Sequence, residues 1–215
     1  MRTTATVVLG GLALLLLVAN PAAAQEEAHA HIGHVMEAFP PTPDGGGLLP
    51  TALEEASIAA QHAAFAARDL DDLDNIQTHA AHVLHAVDPD EIDGGPGLGF
   101  GVRQAAQGVA DHIGAAASSD GASDNVQVHA EHVATSARNT VERAERIVEL
   151  VREIQAATTA EEAAPLAEEL VELTEILTTG KDATGDGQVS WRQGEGGLAQ
   201  AEQHMRLMMD GEGLG

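Results

Sequence analysis

The residues with the most chemistry to offer are histidines in repeated spacing. Two near copies, DNIQTHAAHV from Asp74 and DNVQVHAEHV from Asp124, lie 50 residues apart, and each holds a histidine pair three residues apart: His79 with His82, and His129 with His132. On a helix, residues three apart share a face. Neutral imidazole is a favoured ligand of zinc, copper and nickel, so such a pair plus a third ring from a neighbouring helix fills three positions of a metal site. His62 and His112, again 50 residues apart, are the natural third members. His62 lies a few residues before the tight connection Asp69–Leu73, and His79 lies a few after it. At about 1.5 Å of rise per residue both sit roughly 8 to 9 Å from the turn. The expectation is therefore two three-His sites, with all six rings at one level of a bundle. Ile58 and Phe65, on the same helical face as His62, place that level inside.

Further donors lie toward the ends of the chain. His29, His31 and His34 form a separate cluster near the start, expected to chelate copper or nickel from a flexible segment. His204 stands with Met205, Met208 and Met209, imidazole and thioether donors that suit copper, although methionines at helical spacing also serve as core filler. His85 has Thr135 as its counterpart and is expected to be exposed. An independent oxygen-donor motif is DATGDGQVSWRQGE, from Asp182 to Glu195. Asp182, Thr184, Asp186, Gln188 and Ser190 occupy positions 1, 3, 5, 7 and 9 of an EF-hand-like calcium loop, with Gly187 at its turn and Val189 at its apolar position. Position 12, where a bidentate glutamate is expected, is Gln193, and Glu195 follows two residues later. Weak calcium binding is the expectation, a hydrogen-bonded Asp-Gly turn the alternative.

Helices must position these groups, and the sequence marks them out. After Arg2, an apolar run and the small residues of NPAAAQEE read as a cleaved secretory signal, residues 1–24, with the mature chain starting near Gln25 outside the cytoplasm. The run falls short of the eighteen or so apolar residues of a membrane span, so no membrane association is expected after cleavage. Residues 25–50 form a His-containing segment and linker: EEAHAHIGHVMEAF can make a short helix, which PPTPDGGG then ends. Residues 51–158 hold a duplicated helical hairpin, with helices over 51–68, 75–87 and 102–118 and a long fourth helix near 34 residues. Asp74 with Gln77, and Asp124 with Gln127, read as capping boxes, as does Thr159 with Glu162. At the 50-residue offset, Ala56 matches Ala106, His62 matches His112, and His79, His82 and Val83 match His129, His132 and Val133. Residues 159–215 form a helix to Thr179, the calcium-like loop, and a last helix over 197–209. The fold class is all-α: an up-down bundle of duplicated hairpins with an EF-hand-like helix-loop-helix at its end.

Composition narrows the functions. The formal charge of -24, from 34 acidic and 10 basic residues, argues against nucleic acid as a partner and for a well-solvated surface that attracts cations. Absence of cysteine removes disulfides, thiolate ligands and covalently attached haem. With three Phe, one Trp and no Tyr, helices packed on alanine must approach closely. The sequence has no G-x-S-x-G elbow, no H-E-x-x-H, and no Glu-x-x-His pair in either repeat for a di-iron site, so no enzyme is expected.

HIGHV, AAQHAAFAARD and HAAHVLHAVD resemble the His-rich helical repeats of the small periplasmic metal-binding proteins of ammonia-oxidising bacteria, over roughly His29 to Ala137. That resemblance implies a copper-binding four-helix bundle. The chain departs from the family in its fewer histidines, its long fourth helix and its added tail, which itself resembles EF-hand or dockerin calcium loops over 182–195. The leading expectation is an exported protein that buffers or delivers copper, zinc or nickel. Two alternatives stand beside it: a b-type haem bundle, which few aromatics and close helices disfavour, and a calcium-steadied interaction module in which histidines only pack.

Overall fold

The computed structural model describes residues 21–215; of the expected signal peptide, residues 1–20 lie outside that range. The described residues form seven helices and no strand: α1 (Pro21–Met36), α2 (Leu48–Ala66), α3 (Leu73–Val87), α4 (Val102–Ser118), α5 (Asp124–Ala156), α6 (Ala160–Thr179) and α7 (Leu198–Glu212). The all-α fold class and the long helix near the middle, 33 residues in α5, follow the sequence expectation. α5 packs against α3, α4, α6 and α7, α2 against α3, α4 and α6, and α1 chiefly against α4.

Small side chains let these helices approach. α2 buries Ala52, Ala56, Ala59, Ala63 and Ala66, and α4 buries Ala105, Ala106, Ala110 and Ala116, while the bulk comes from Ile113 of α4 and from Ile76, Ile147, Leu150, Ile154 and Leu170 on the facing helices. Such a core depends on close fit, because each alanine removes little apolar surface from water.

Helix ends differ in detail from expectation. Asp72, not Asp74, caps α3, accepting the Asn75 N–H, and Ser123, not Asp124, caps α5, accepting the Val126 N–H. Asp74 and Asp124 sit inside the first turn, where a carboxylate still complements the free N–H groups. Gln77 is thereby released from capping and donates to the Ile154 and Ala157 carbonyls at the end of α5. At α6, Thr159 accepts the Glu162 N–H as expected, and the Glu162 carboxylate reaches one residue further back, to the Thr158 N–H.

Connections are ordered by specific bonds. Between α1 and α2, Thr42 donates to the Phe39 carbonyl while the Phe39 N–H returns to Gly46, so PPTPDGGG is an ordered wrap. Between α3 and α4, the Glu55 carboxylate, fully buried in α2, accepts the Phe100 and Gly101 N–H groups. His85, expected to be exposed, is half-buried instead: its Nδ1 lies 3.0 Å from the Pro96 carbonyl and its ring covers Gly95, pinning the same glycine-rich segment.

Candidate metal centres

Nine of the eleven histidines gather in three groups of three, each half-exposed. In every group one helix supplies an i,i+3 pair and another supplies a single ring. α3 gives His79 and His82 and α2 gives His62; α1 gives His31 and His34 and α4 gives His112; α5 gives His129 and His132 and α7 gives His204.

Helix periodicity explains why these rings lie on the flank of the bundle. The residues one and four positions after the first histidine of each pair are buried: Ile32 and Val35, Ala80 and Val83, Ala130 and Val133. The same holds after each single ring, where Ala63 and Ala66 follow His62, Ile113 and Ala116 follow His112, and Met205 and Met208 follow His204. One residue is about 100° of helical rotation, so an imidazole just before a buried position projects from the edge of the apolar stripe. Two such edges from neighbouring helices face each other across the seam. The expected interior level is therefore corrected: Ile58 and Phe65, like His62, are only half-buried and mark the margin of the core.

The contacts are alike in all three. His62 Nδ1 lies 3.1 Å from His79 Nδ1 and 3.3 Å from His82 Nδ1. His112 Nδ1 lies 2.9 Å from His31 Nδ1 and 3.4 Å from His34 Nδ1. His204 Nδ1 lies 3.1 Å from His129 Nδ1 and 3.3 Å from His132 Nδ1. A ring nitrogen offers one in-plane position, either a proton or a lone pair. The single histidine can make one good hydrogen bond to its neighbours but not two. A cation answers what protons cannot: three nitrogens at about 2.05 Å from a tetrahedral centre stand about 3.3 Å apart.

Burial favours the neutral, ligating form of five of these rings. Burial, then the neighbouring imidazoles His132 and His129, lowers the His204 pKa to about 4. Burial is also the main cause that lowers His62, His79, His112 and His132, with neighbouring histidines next in each case. Neutral imidazole, with a lone pair free, is the form that binds metal. Each group also has an aromatic wall. The Phe65 ring is 5.4 Å from His62 and 5.3 Å from His79; Phe39 is 5.0 Å from His112; Trp191 stacks on His132 at 4.0 Å. Three of the four Phe and Trp residues are spent this way, shielding one side of each group from water.

The expected grouping of His62 with His79 and His82 is found, and His129 and His132 stay together but take a different third ring. His112 turns to α1 instead of joining His129 and His132, and His31 and His34 are held on a packed helix, not a flexible chelating segment. His29 leaves its neighbours, its Nε2 meeting the Glu212 carboxylate at 3.1 Å. His204 acts without thioethers: Met205 and Met208 are fully buried in the core and Met209 packs at its margin. The overlooked signal is a third occurrence of one pattern, HIGHV at His31 beside HAAHV at His79 and HAEHV at His129.

In the calcium-like loop, Asp182 accepts the Gly185, Asp186 and Gly187 N–H groups, Asp186 accepts the Gln188 N–H, and the Thr184 hydroxyl lies 3.5 Å from the Asp182 carboxylate. Gln193 turns away, donating to the Glu142 carboxylate on α5. The residue that folds back is Glu195, whose carboxylate accepts the Ser190 N–H and hydroxyl.

Set against protein-family models, curated proteins and solved structures, the chain matches none of them.

Proposed function

We propose that this chain is an exported, non-enzymatic metal-binding protein that buffers or delivers a transition metal through three equivalent three-imidazole sites. One observation carries the reading: at three places built from different helix pairs, the Nδ1 of one histidine stands 2.9 to 3.4 Å from the Nδ1 of two others, with ligand atoms of all three within 4.8 Å. All-nitrogen donors without thiolate or thioether favour zinc, copper(II) or nickel. Three protein ligands on a half-exposed seam leave a coordination position for water or for a donor from a delivery partner, which permits hand-off; a closed four-ligand structural site would not. A haem reading lacks such support, since ring nitrogens in hydrogen-bond contact at 2.9 to 3.1 Å leave no room for a macrocycle between them.

The test is reconstitution of the mature chain with zinc, copper or nickel in turn, followed by desalting and elemental analysis. Three equivalents of at least one metal are expected, and retention of none would end the proposal.

A further inference from the structure

The loop after α6 contains a group that the histidine sites leave unexplained. Glu195 is 2% exposed, and its Oε1 has no hydrogen-bond partner. An unpaired carboxylate oxygen out of water is costly, and it calls for a cation. Exposed Arg192 acts on this carboxyl only through space, and the buried Arg143 does not answer it. That guanidinium donates to the backbone carbonyls of Ile176, Gly194, Glu195 and Gly196, so it fixes the backbone of Glu195 and ignores its carboxylate. Asn139 adds bonds to the Arg192 carbonyl and the Gly194 N–H. The two ends of the loop are closed by the bond from the Lys181 N–H to the Glu195 carbonyl, beside Gly180, where φ is 74° and a side chain would strike that carbonyl.

The Glu195 side chain therefore arrives from a rigid anchor. It meets the Ser190 hydroxyl on one oxygen, and the Thr184 hydroxyl is near enough to help hold the carboxyl below its ordinary pKa, after the larger effect of Ser190. Asp182 and Asp186 supply two more carboxylates across the turn. Closed around a calcium-sized cation, the side-chain oxygens at 182, 184, 186, 190 and 195 with the Gln188 carbonyl would supply the six ligands that it takes. Between Ser190 and Glu195 stands Trp191, whose ring stacks on His132 at 4.0 Å and 22°.

We propose that residues 182–195 form a calcium site closed by Glu195, two positions beyond the usual closing residue, and that its occupancy is linked through Trp191 to the third histidine site. The loop cation fixes the Ser190–Glu195 segment; that segment carries the indole that borders His132. Linkage is reciprocal, so whatever calcium does to the metal affinity of that site, the metal does to calcium affinity. This second half rests on the histidine reading; the calcium site itself does not.

Two titrations decide it. Calcium alone, added to the metal-free mature chain, should bind one to one by calorimetry and change Trp191 fluorescence. Glu195→Gln, which keeps the acceptor for Ser190, should weaken uptake about tenfold or more by removing a charged ligand. Asp186→Asn, at an exposed position, should also weaken it without risk to folding, and Gln193→Ala should leave it unchanged. Absence of calcium uptake, or a Gln193→Ala loss equal to that of Glu195→Gln, overturns the site. In the second titration, the His62→Ala/His112→Ala variant keeps only the third histidine site, and its zinc affinity should shift severalfold on saturation with calcium, a shift that Glu195→Gln removes. A zinc affinity indifferent to calcium overturns the link, whereas failure of this variant to take up zinc counts against the histidine reading and overturns the link with it, leaving the calcium site standing.

Discussion

Removing the single histidine of one group should subtract one metal and leave two. His62, His112 and His204 each hold a central place, their Nδ1 atoms facing both members of a pair. Replacing one by alanine leaves two imidazoles on one helix. Loss of a mere supporting contact costs 10- to 100-fold in metal affinity, so loss of a ligand should cost about 100-fold at least. With free metal at 100 times Kd, each intact site stabilises the fold by about 2.7 kcal/mol; a site weakened 100-fold contributes only about 0.4 kcal/mol. The difference, about 2.3 kcal/mol, corresponds to a fall of roughly 5 to 9 °C in Tm for a chain of this size. The assay is thermal unfolding of wild type and of each single variant, with and without metal, alongside elemental analysis. Expected are equal losses of one equivalent for His62→Ala, His112→Ala and His204→Ala, with the metal-free Tm changing far less. A wild-type stoichiometry of two would refute the three-group reasoning, and so would a His112→Ala variant that empties the site of His129 and His132.

Other consequences are open to measurement. The metal-free protein should lose stability as pH falls from about 6.5 toward about 4, because the unfolded chain takes up protons that the folded His204 refuses until about pH 4; His62, His79, His112 and His132 act in the same direction, and urea midpoints flat across this window would contradict it. Arg143→Leu should cost about 2 to 4 kcal/mol in urea unfolding, since it strips donors from four carbonyls, and a cost below about 1 kcal/mol would show that water replaces it freely. Gly197→Ala should destabilise by more than about 1 kcal/mol, because the added carbon would lie 2.7 Å from the Thr178 carbonyl oxygen and 2.8 Å from the Gly180 nitrogen; an unchanged urea midpoint would show the junction to be yielding.

Much of this architecture could be read from residue order. Alanine-rich stretches with apolar residues at helical spacing, punctuated by Gly, Pro and Asp, located α2 to α7 to within about three residues, whereas α1 starts at Pro21, five residues before the expected Glu26. The height of His62 opposite His79 was legible because a short connection fixes the distance of both from the turn. What distance along a helix cannot give is its rotation: α4 touches both α1 and α5, and the buried Ile113 beside His112 turns that ring toward α1. The partner of His112 was thus a question of azimuth, settled only by packing. Glu195 was missed for a related reason. Counting along the loop assumes a standard path, whereas the anchors that carry the chain back, Asn139 and Arg143, lie on α5, more than fifty residues away.

The three centres also differ in how much chain each must gather. His62 and His82 are 20 residues apart, whereas His31 must find His112 over 81 and His129 must find His204 over 75. Closing the longer spans costs about 1 kcal/mol more in chain entropy, and neither can form until α1 or α7 has docked. On the proposed metal-binding reading, a newly made chain would load its α2–α3 hairpin first and its outer seams last, so that a full complement of metal would certify α1 and α7 as docked.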